Sequence, residues 1–194
     1  MAPTRLIVGL AGASGAIYGI RLLEVLRAQP EIETHLVITK PAERTIAEET
    51  SYRVAEVREM ASVVHPLTDI GASIASGSFR TVGMVVIPCS IHTVSAIAYC
   101  QSDNLLTRAA DVVLKERRKL VLVVRETPLH PGHLKAMLAA AEAGAVILPP
   151  VPAFYSQPKT VEDIVDHTVG RVLDQFGIEH DLVRRWGEPP PENA

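Results

Sequence analysis

An α/β fold built on a mostly parallel sheet is predicted by three features of the 194-residue sequence. Short apolar runs alternate with amphipathic stretches of helical period. The runs are apolar on consecutive positions, as in strands buried on both faces, and they empty into glycine-rich or polar turns.

Arg5–Leu10 (RLIVGL) is a continuous apolar run opening into glycines, which predicts a buried parallel strand. Ala16–Ala28 sets Ile17, Ile20, Leu23 and Leu26 at helical spacing with Arg21, Glu24 and Arg27 between them, which predicts a helix. Glu33–Thr39 predicts a second strand and Ala42–Thr50 a charged helix. Thr81–Pro88 and Lys119–Val124 predict two more strands, separated by helices over Thr93–Cys100 and Leu105–Arg117. Leu134–Ala143 predicts an Ala-rich helix and Ala145–Leu148 a strand. Seven of the 14 prolines lie at or after Pro149, so LPPVPAFYSQP is expected as an ordered loop. Thr160–Phe176 resumes as an amphipathic helix, with Thr160 as N-cap and Glu162 and Asp163 in its first turn. Residues 1–187 are expected to form one α/β domain and 188–194 a frayed tail.

With 19 basic and 22 acidic residues the net charge is −3, which gives no global argument for nucleic acid or an anionic membrane. Hydrophobic residues make up 47% but aromatics only 4%, so the core must be aliphatic. Cys89 and Cys100 are too few for a disulfide scaffold and point to a reducing, cytoplasmic setting. The charge-free window Thr81–Ser102 is long enough to span a bilayer, but Pro88, Ser90, His92, Thr93, Ser95 and Gln101 make that costly. A buried strand feeding a polar turn and a helix explains it better.

Three turns at strand ends carry the candidate chemistry, since ligands of open α/β sheets sit beyond the carboxyl ends of the strands. In the first, GLAGASGAIYG, Gly12 and Gly15 allow close backbone approach, and the following helix offers N–H groups to a phosphate or flavin edge. Tight packing is the equal alternative. In the second, Pro88–Thr93, the Ser90 and Thr93 hydroxyls stand beside helix N–H groups; ordinary capping by Ser90 is the alternative. His92 is expected there in a capping or core role, and Cys89 as a small buried apolar residue. In the third, Arg125-Glu126 follows an all-apolar strand, suited to a phosphate contact and a proton transfer, with a surface ion pair as alternative. Together the turns favour a nucleotide-type cofactor. No histidine or cysteine spacing suggests a metal site, and Ser14 has no identifiable His/Asp partner for a hydrolase triad.

The motifs GASGAIYG (Gly12–Gly19), ASGSF (Ala75–Phe79), PCSIHT (Pro88–Thr93), RAADVVLKERRKLVLVVRE (Arg108–Glu126), GAVILPPVPAFYSQP (Gly144–Pro158) and RRWGE (Arg184–Glu188) resemble those of the UbiX-like flavin prenyltransferases. The resemblance covers Arg5 to Gly187. It implies a Rossmann-like (flavodoxin-like) three-layer sandwich in which reduced FMN is a substrate. A dimethylallyl group from its monophosphate, or diphosphate in some members, is attached to that flavin without a metal, and the prenylated FMN serves a UbiD-like decarboxylase. Homododecamers with sites at subunit interfaces are also implied.

By the same resemblance, Gly12, Ala13, Ser14, Gly15, Thr39, Ser90, Ile91, His92, Thr93 and Arg125 surround FMN. Arg108, Lys115, Tyr155 and Arg171 hold the prenyl phosphate with Glu126 beside it, under a loop of Ala75, Ser76 and Gly77. Ser14, Glu49, Lys115, Glu126 and Trp186 match catalytic positions, Glu49 near the flavin N5 edge and Trp186 as an aromatic closing the site. Arg108, Lys115, Arg125 and Arg171 are thus expected to form a local cationic cluster. Leu129–Lys135 departs from the family pattern. A flavin-dependent cysteine decarboxylase of the same fold, or a non-catalytic flavin-binding subunit, are the alternatives.

Overall fold

The computed structural model describes residues 3–187. Its six strands are β1 (Thr4–Leu10), β2 (Ile32–Ile38), β3 (Val63–His65), β4 (Gly83–Cys89), β5 (Lys119–Val124) and β6 (Ala145–Ile147). They pair in the order β3-β2-β1-β4-β5-β6. Every pair is parallel. The chain winds outward from β1 in one direction and from β4 in the other, so the switch point lies between these two central strands.

The helices are α1 (Ala16–Arg27), α2 (Lys40–Glu49), α3 (Val54–Glu59), α4 (Ile91–Ala98), α5 (Leu105–Lys115), α6 (Pro131–Glu142) and α7 (Val161–Phe176). Alternate strand residues feed two separate cores. Leu6, Val8, Leu36, Val85, Ile87 and Val121 pack with α1, α2, α3 and α7. Ile7, Val37, Met84, Val86, Leu120 and Leu122 pack with α4, α5 and α6 on the other face. The result is the three-layer sandwich, and the strands are apolar throughout because both faces are covered.

Helix starts differ from the periodicity by a few residues because caps decide them. Pro41 sits in the first turn of α2 behind the Thr39 cap, and Pro131 opens α6 behind His130, whose Nδ1 accepts the Gly132 N–H. Ser90 caps α4, which starts at Ile91, two residues before the predicted start. Thr160 caps α7 as predicted, in a capping box with Asp163. The loop before it holds one 3-10 turn, Phe154–Ser156. The window Thr81–Ser102 is β4, a polar turn and α4, and among the described residues no helix is long and apolar enough to cross a membrane. The expected tail over 188–194 lies outside the described residues.

Candidate functional site

The β1–α1, β4–α4 and β5–α6 turns meet at the carboxyl edge of the sheet, beside the switch point. Gly12 lies against Pro41, the first-turn proline of α2, so closely that any side chain would collide with it. Gly15 takes φ 100° as the N-cap of α1, a left-handed conformation suited to glycine.

The N-terminus of α1 is already occupied. Glu49, at the end of α2, accepts the Gly15 N–H at 2.8 Å and the Ala16 N–H at 3.1 Å. Burial raises its pKa, but the Gly15 N–H, the Ser14 hydroxyl, the Ala16 N–H and the nearby Arg125 charge together hold it below the usual carboxylate range. The expectation that α1 offers free N–H groups to a phosphate or flavin edge is therefore corrected for Gly15 and Ala16: a carboxylate takes both, and a second anion there would be repelled.

The β4–α4 turn is both cap and cradle. Ser90 Oγ accepts the Thr93 N–H at 3.3 Å, and the two hydroxyls lie 3.0 Å apart. Thr39 Oγ1 likewise accepts the Ala42 N–H at 3.2 Å. A hydroxyl that accepts from the backbone keeps its own proton, so Thr39 and one member of the Ser90–Thr93 pair still have a proton to donate, the other being given within the pair. Cys89 is fully buried, and burial pushes its thiol pKa up, so it belongs to the core. His92 neither caps nor enters the core; it is exposed and lines the cleft, correcting the expectation from the residues alone.

Gly12, Thr39, Ser90, Ile91, His92, Thr93 and Glu126 line one cleft of about 420 Å³, within the range of small-molecule sites. Neutral hydroxyl donors, the N-terminus of α4 and the adjacent Arg125 fit a flavin mononucleotide. Leu67, Gln101, Asp103 and Asn104 line it too, and were not anticipated. Asn104 alone carried a signal: it caps α5, accepting the Thr107 N–H, as an Asn before an apolar run does.

The remaining candidates stand elsewhere in the chain. Arg108 turns onto Asp111 of its own helix at 2.9 Å. Lys115 ends α5, near the amino end of β5, and pairs with Glu116 at 2.9 Å. Gly77 packs against both these side chains, while Arg118 donates to the carbonyls of Gly77 and Phe79 at 2.6 and 2.7 Å. Thus Ala75–Gly77 and Lys115 do come together. Across the sheet, on α7, Arg171 pairs with Asp174 at 2.6 Å. Tyr155 Oη lies 3.1 Å from His167 Nε2, and Trp186 meets the Tyr155 ring edge-on at 5.5 Å. The cationic cluster expected of Arg108, Lys115, Arg125 and Arg171 is not formed within one chain, because the sheet stands between α5 and α7 and Arg125 sits at its carboxyl edge. Among the described residues no group of three or more His, Cys, Asp or Glu side chains is placed to hold a metal.

This fold and cleft define a Rossmann-like flavin-binding protein, and residues 1–173 match the family model described as Flavoprotein. The chain is 61% identical over 184 residues to flavin prenyltransferase UbiX of Escherichia coli strain K12, covering 94% of this chain and 97% of that protein. It therefore belongs to the UbiX-like flavin prenyltransferase family. A dodecameric FMN-dependent UbiX-like decarboxylase from Escherichia coli O157:H7 superposes with a TM-score of 0.93 at 54% identity, covering 95% of this chain and 100% of that one. The AnUbiX (PadA1) structure in complex with FMN and dimethylallyl pyrophosphate gives 0.93 at 49% identity, covering 96% and 98%.

Proposed function

We propose that this protein is a flavin prenyltransferase, joining a dimethylallyl group from dimethylallyl monophosphate to N5 and C6 of reduced FMN, and that the product serves a UbiD-like decarboxylase. The observation that carries this reading is Glu126, next in sequence to Arg125, lining a hydroxyl-bearing cleft in a chain 61% identical to a flavin prenyltransferase. Bound reduced FMN supplies the nucleophilic nitrogen and the ring carbon at which the second bond closes.

The chain's own residues do the rest. Gly12–Gly15, Thr39, Ser90–Thr93 and Arg125 bind and orient the flavin. Lys115, Arg108, Arg171 and Tyr155 hold the prenyl phosphate and stabilise the charge that grows on it as the allylic C–O bond breaks. Glu126 relays a proton between the flavin edge and the released phosphate. Ser14, in the loop that Glu49 caps, orients the reacting edge. Ala75–Gly77 and Trp186 close over the prenyl group, and apolar lining such as Leu67 and Leu106 keeps water from the allyl cation. No step is assigned to a metal.

Because one chain splits these residues among three places, the pocket is completed between copies. We assign a homo-oligomer, a dodecamer like the Escherichia coli O157:H7 relative. We read residues 1–187 as one flavin-binding domain. Its unbonded cysteines, Cys89 and Cys100, support a cytoplasmic setting. Anaerobic incubation with reduced FMN and either dimethylallyl monophosphate or diphosphate tests the function. A flavin heavier by one isoprene unit supports it and shows which donor is preferred. An unchanged flavin mass with both donors overturns it; carbon dioxide release from a C-terminal cysteine peptide would then mark a cysteine decarboxylase, and bound but unaltered FMN a binding subunit.

A further inference from the structure

One carboxylate near the end of α7 ties together two parts of the molecule that the proposed reaction needs. Asp174 Oδ2 accepts Arg171 Nη1 at 2.6 Å and Arg185 Nη1 at 3.3 Å. Its Oδ1 accepts Arg185 Nη2 at 2.9 Å and lies 3.1 Å from His180 Nε2. The His180 side chain is buried, and its Nδ1 accepts the Leu182 N–H at 3.2 Å. Its proton therefore sits on Nε2, donated to Asp174. Burial opposes the charge on Asp174, but Arg185 and His180 outweigh it and hold the carboxyl below its ordinary range.

Residues 178–187 form a strap along α7. Gly170 seats it: a side chain there would strike Val183 and the His180 ring. Further along, Asp181, Leu182 and Arg184 form one wall of a cleft of about 650 Å³, with Ser156, Lys159 and His167 among the residues opposite. Beyond the Arg185–Asp174 contact the strap delivers Trp186 edge-on to Tyr155, which is itself held by His167. His167, Arg171 and Asp174 fall at i, i+4 and i+7, on one face of α7. The face that presents Arg171 is the face that anchors the strap.

We propose that Asp174 is a positioning residue that couples the prenyl-phosphate contact of Arg171 to the seat of the strap bearing Trp186. This rests on the role given to Arg171 in the prenyltransferase reading. Arg171 commits Nη1 to Asp174, which fixes the plane of its guanidinium and leaves other donors for a phosphate. A phosphate on those donors takes up part of the Arg171 charge and leaves the carboxylate to Arg185, drawing the strap down. Linkage makes the effect reciprocal: a loosened strap weakens the phosphate contact by the same factor.

Trp186 is the only tryptophan of the chain, so acrylamide quenching of its emission in the assembled enzyme reads the strap directly. Inorganic phosphate and dimethylallyl monophosphate should each reduce quenching in the parent protein. Asp174→Asn should abolish that response and raise KM for dimethylallyl monophosphate about tenfold, with kcat and FMN affinity little changed. Arg185→Gln, which leaves the Arg171–Asp174 contact in place, should remove the phosphate-dependent drop in quenching and raise the same KM; it keeps the test open if Asp174→Asn does not fold. Arg171→Gln separates the two levels. An unchanged KM in that variant overturns the role of Arg171 and the coupling with it. A raised KM there, combined with parent-like KM in Asp174→Asn and Arg185→Gln or with quenching indifferent to phosphate, overturns the coupling alone.

Discussion

Glu49 Oε2 accepts the backbone N–H groups of Gly15 at 2.8 Å and Ala16 at 3.1 Å, so the last residue of α2 caps the first turn of α1. The glycine loop is thereby closed by a charge of the same sign as a phosphate. In the reading proposed above, the anionic end of a flavin nucleotide goes to the N-terminus of α4 and the hydroxyls of Thr39, Ser90 and Thr93.

Glu49→Gln should lower stability by about 0.5–1 kcal/mol at pH 7, since the carboxylate is only partly withdrawn from water by the loop it caps and the residue as a whole stays exposed and screened. The folded-state pKa of Glu49 is depressed. Its contribution is therefore present above the unfolded value of about 4.3 and is lost as pH falls through the lower folded value. Urea unfolding from pH 7 to pH 3 should give curves for parent and variant that converge at the acid end. Parallel curves would show that the cap contributes no charge-dependent stability.

Gly12→Ala should destabilise by about 1–3 kcal/mol, because the new methyl group must displace Pro41 at the start of α2. FMN affinity should fall with it, since both residues line the cleft. Thermal melts and flavin titration check this; a stable variant with normal FMN affinity would show the contact to be yielding.

His65 anchors the edge strand β3 to β2, its Nε2 lying 2.9 Å from His35 Nδ1, while His35 Nε2 lies 2.8 Å from Glu33 Oε1. Arg5 also bonds Glu33, and Phe79 meets the His35 ring edge-on. Burial lowers the His65 pKa, the His35 charge lowers it further, and Asp69 opposes both. A depressed histidine favours the folded state above its unfolded pKa of about 6.5, and that stability is lost as pH falls toward the folded value. Protection from hydrogen exchange at Val63–His65, taken relative to the intrinsic rate at each pH, should fall between pH 7.5 and 5.5. His65→Gln should flatten that dependence.

Glu126→Gln should slow prenylation at least about a hundredfold, the usual scale of a lost acid–base group, while FMN affinity changes little. Steady-state kinetics beside flavin titration decide it. Equal losses in both would make Glu126 a binding group.

The sheet and its large helices were legible because strands buried on both faces are written as unbroken apolar runs and α7 announces its capping box. β3 was not: three residues carry no period, and its pairing to His35–Val37 is supplied by β2. α3, at six residues, is also too short to announce itself. The three polar turns were readable because each directly follows a strand. Leu67 and Gln101 reach the cleft from segments with no local signal. Nor could spacing show that Glu49 reaches back 34 positions to Gly15, or that the sheet separates Lys115 from Arg171. Those are properties of the folded chain.

Co-assembly of Lys115→Ala chains with Glu126→Gln chains tests most directly whether several copies build one pocket. Each variant alone should be nearly inactive. Mixed assemblies should prenylate reduced FMN well above the average of the two separate variants, because some pockets then receive Lys115 from one chain and Glu126 from another. Activity no higher than that average would place both residues in a pocket made by a single chain and contradict the shared site.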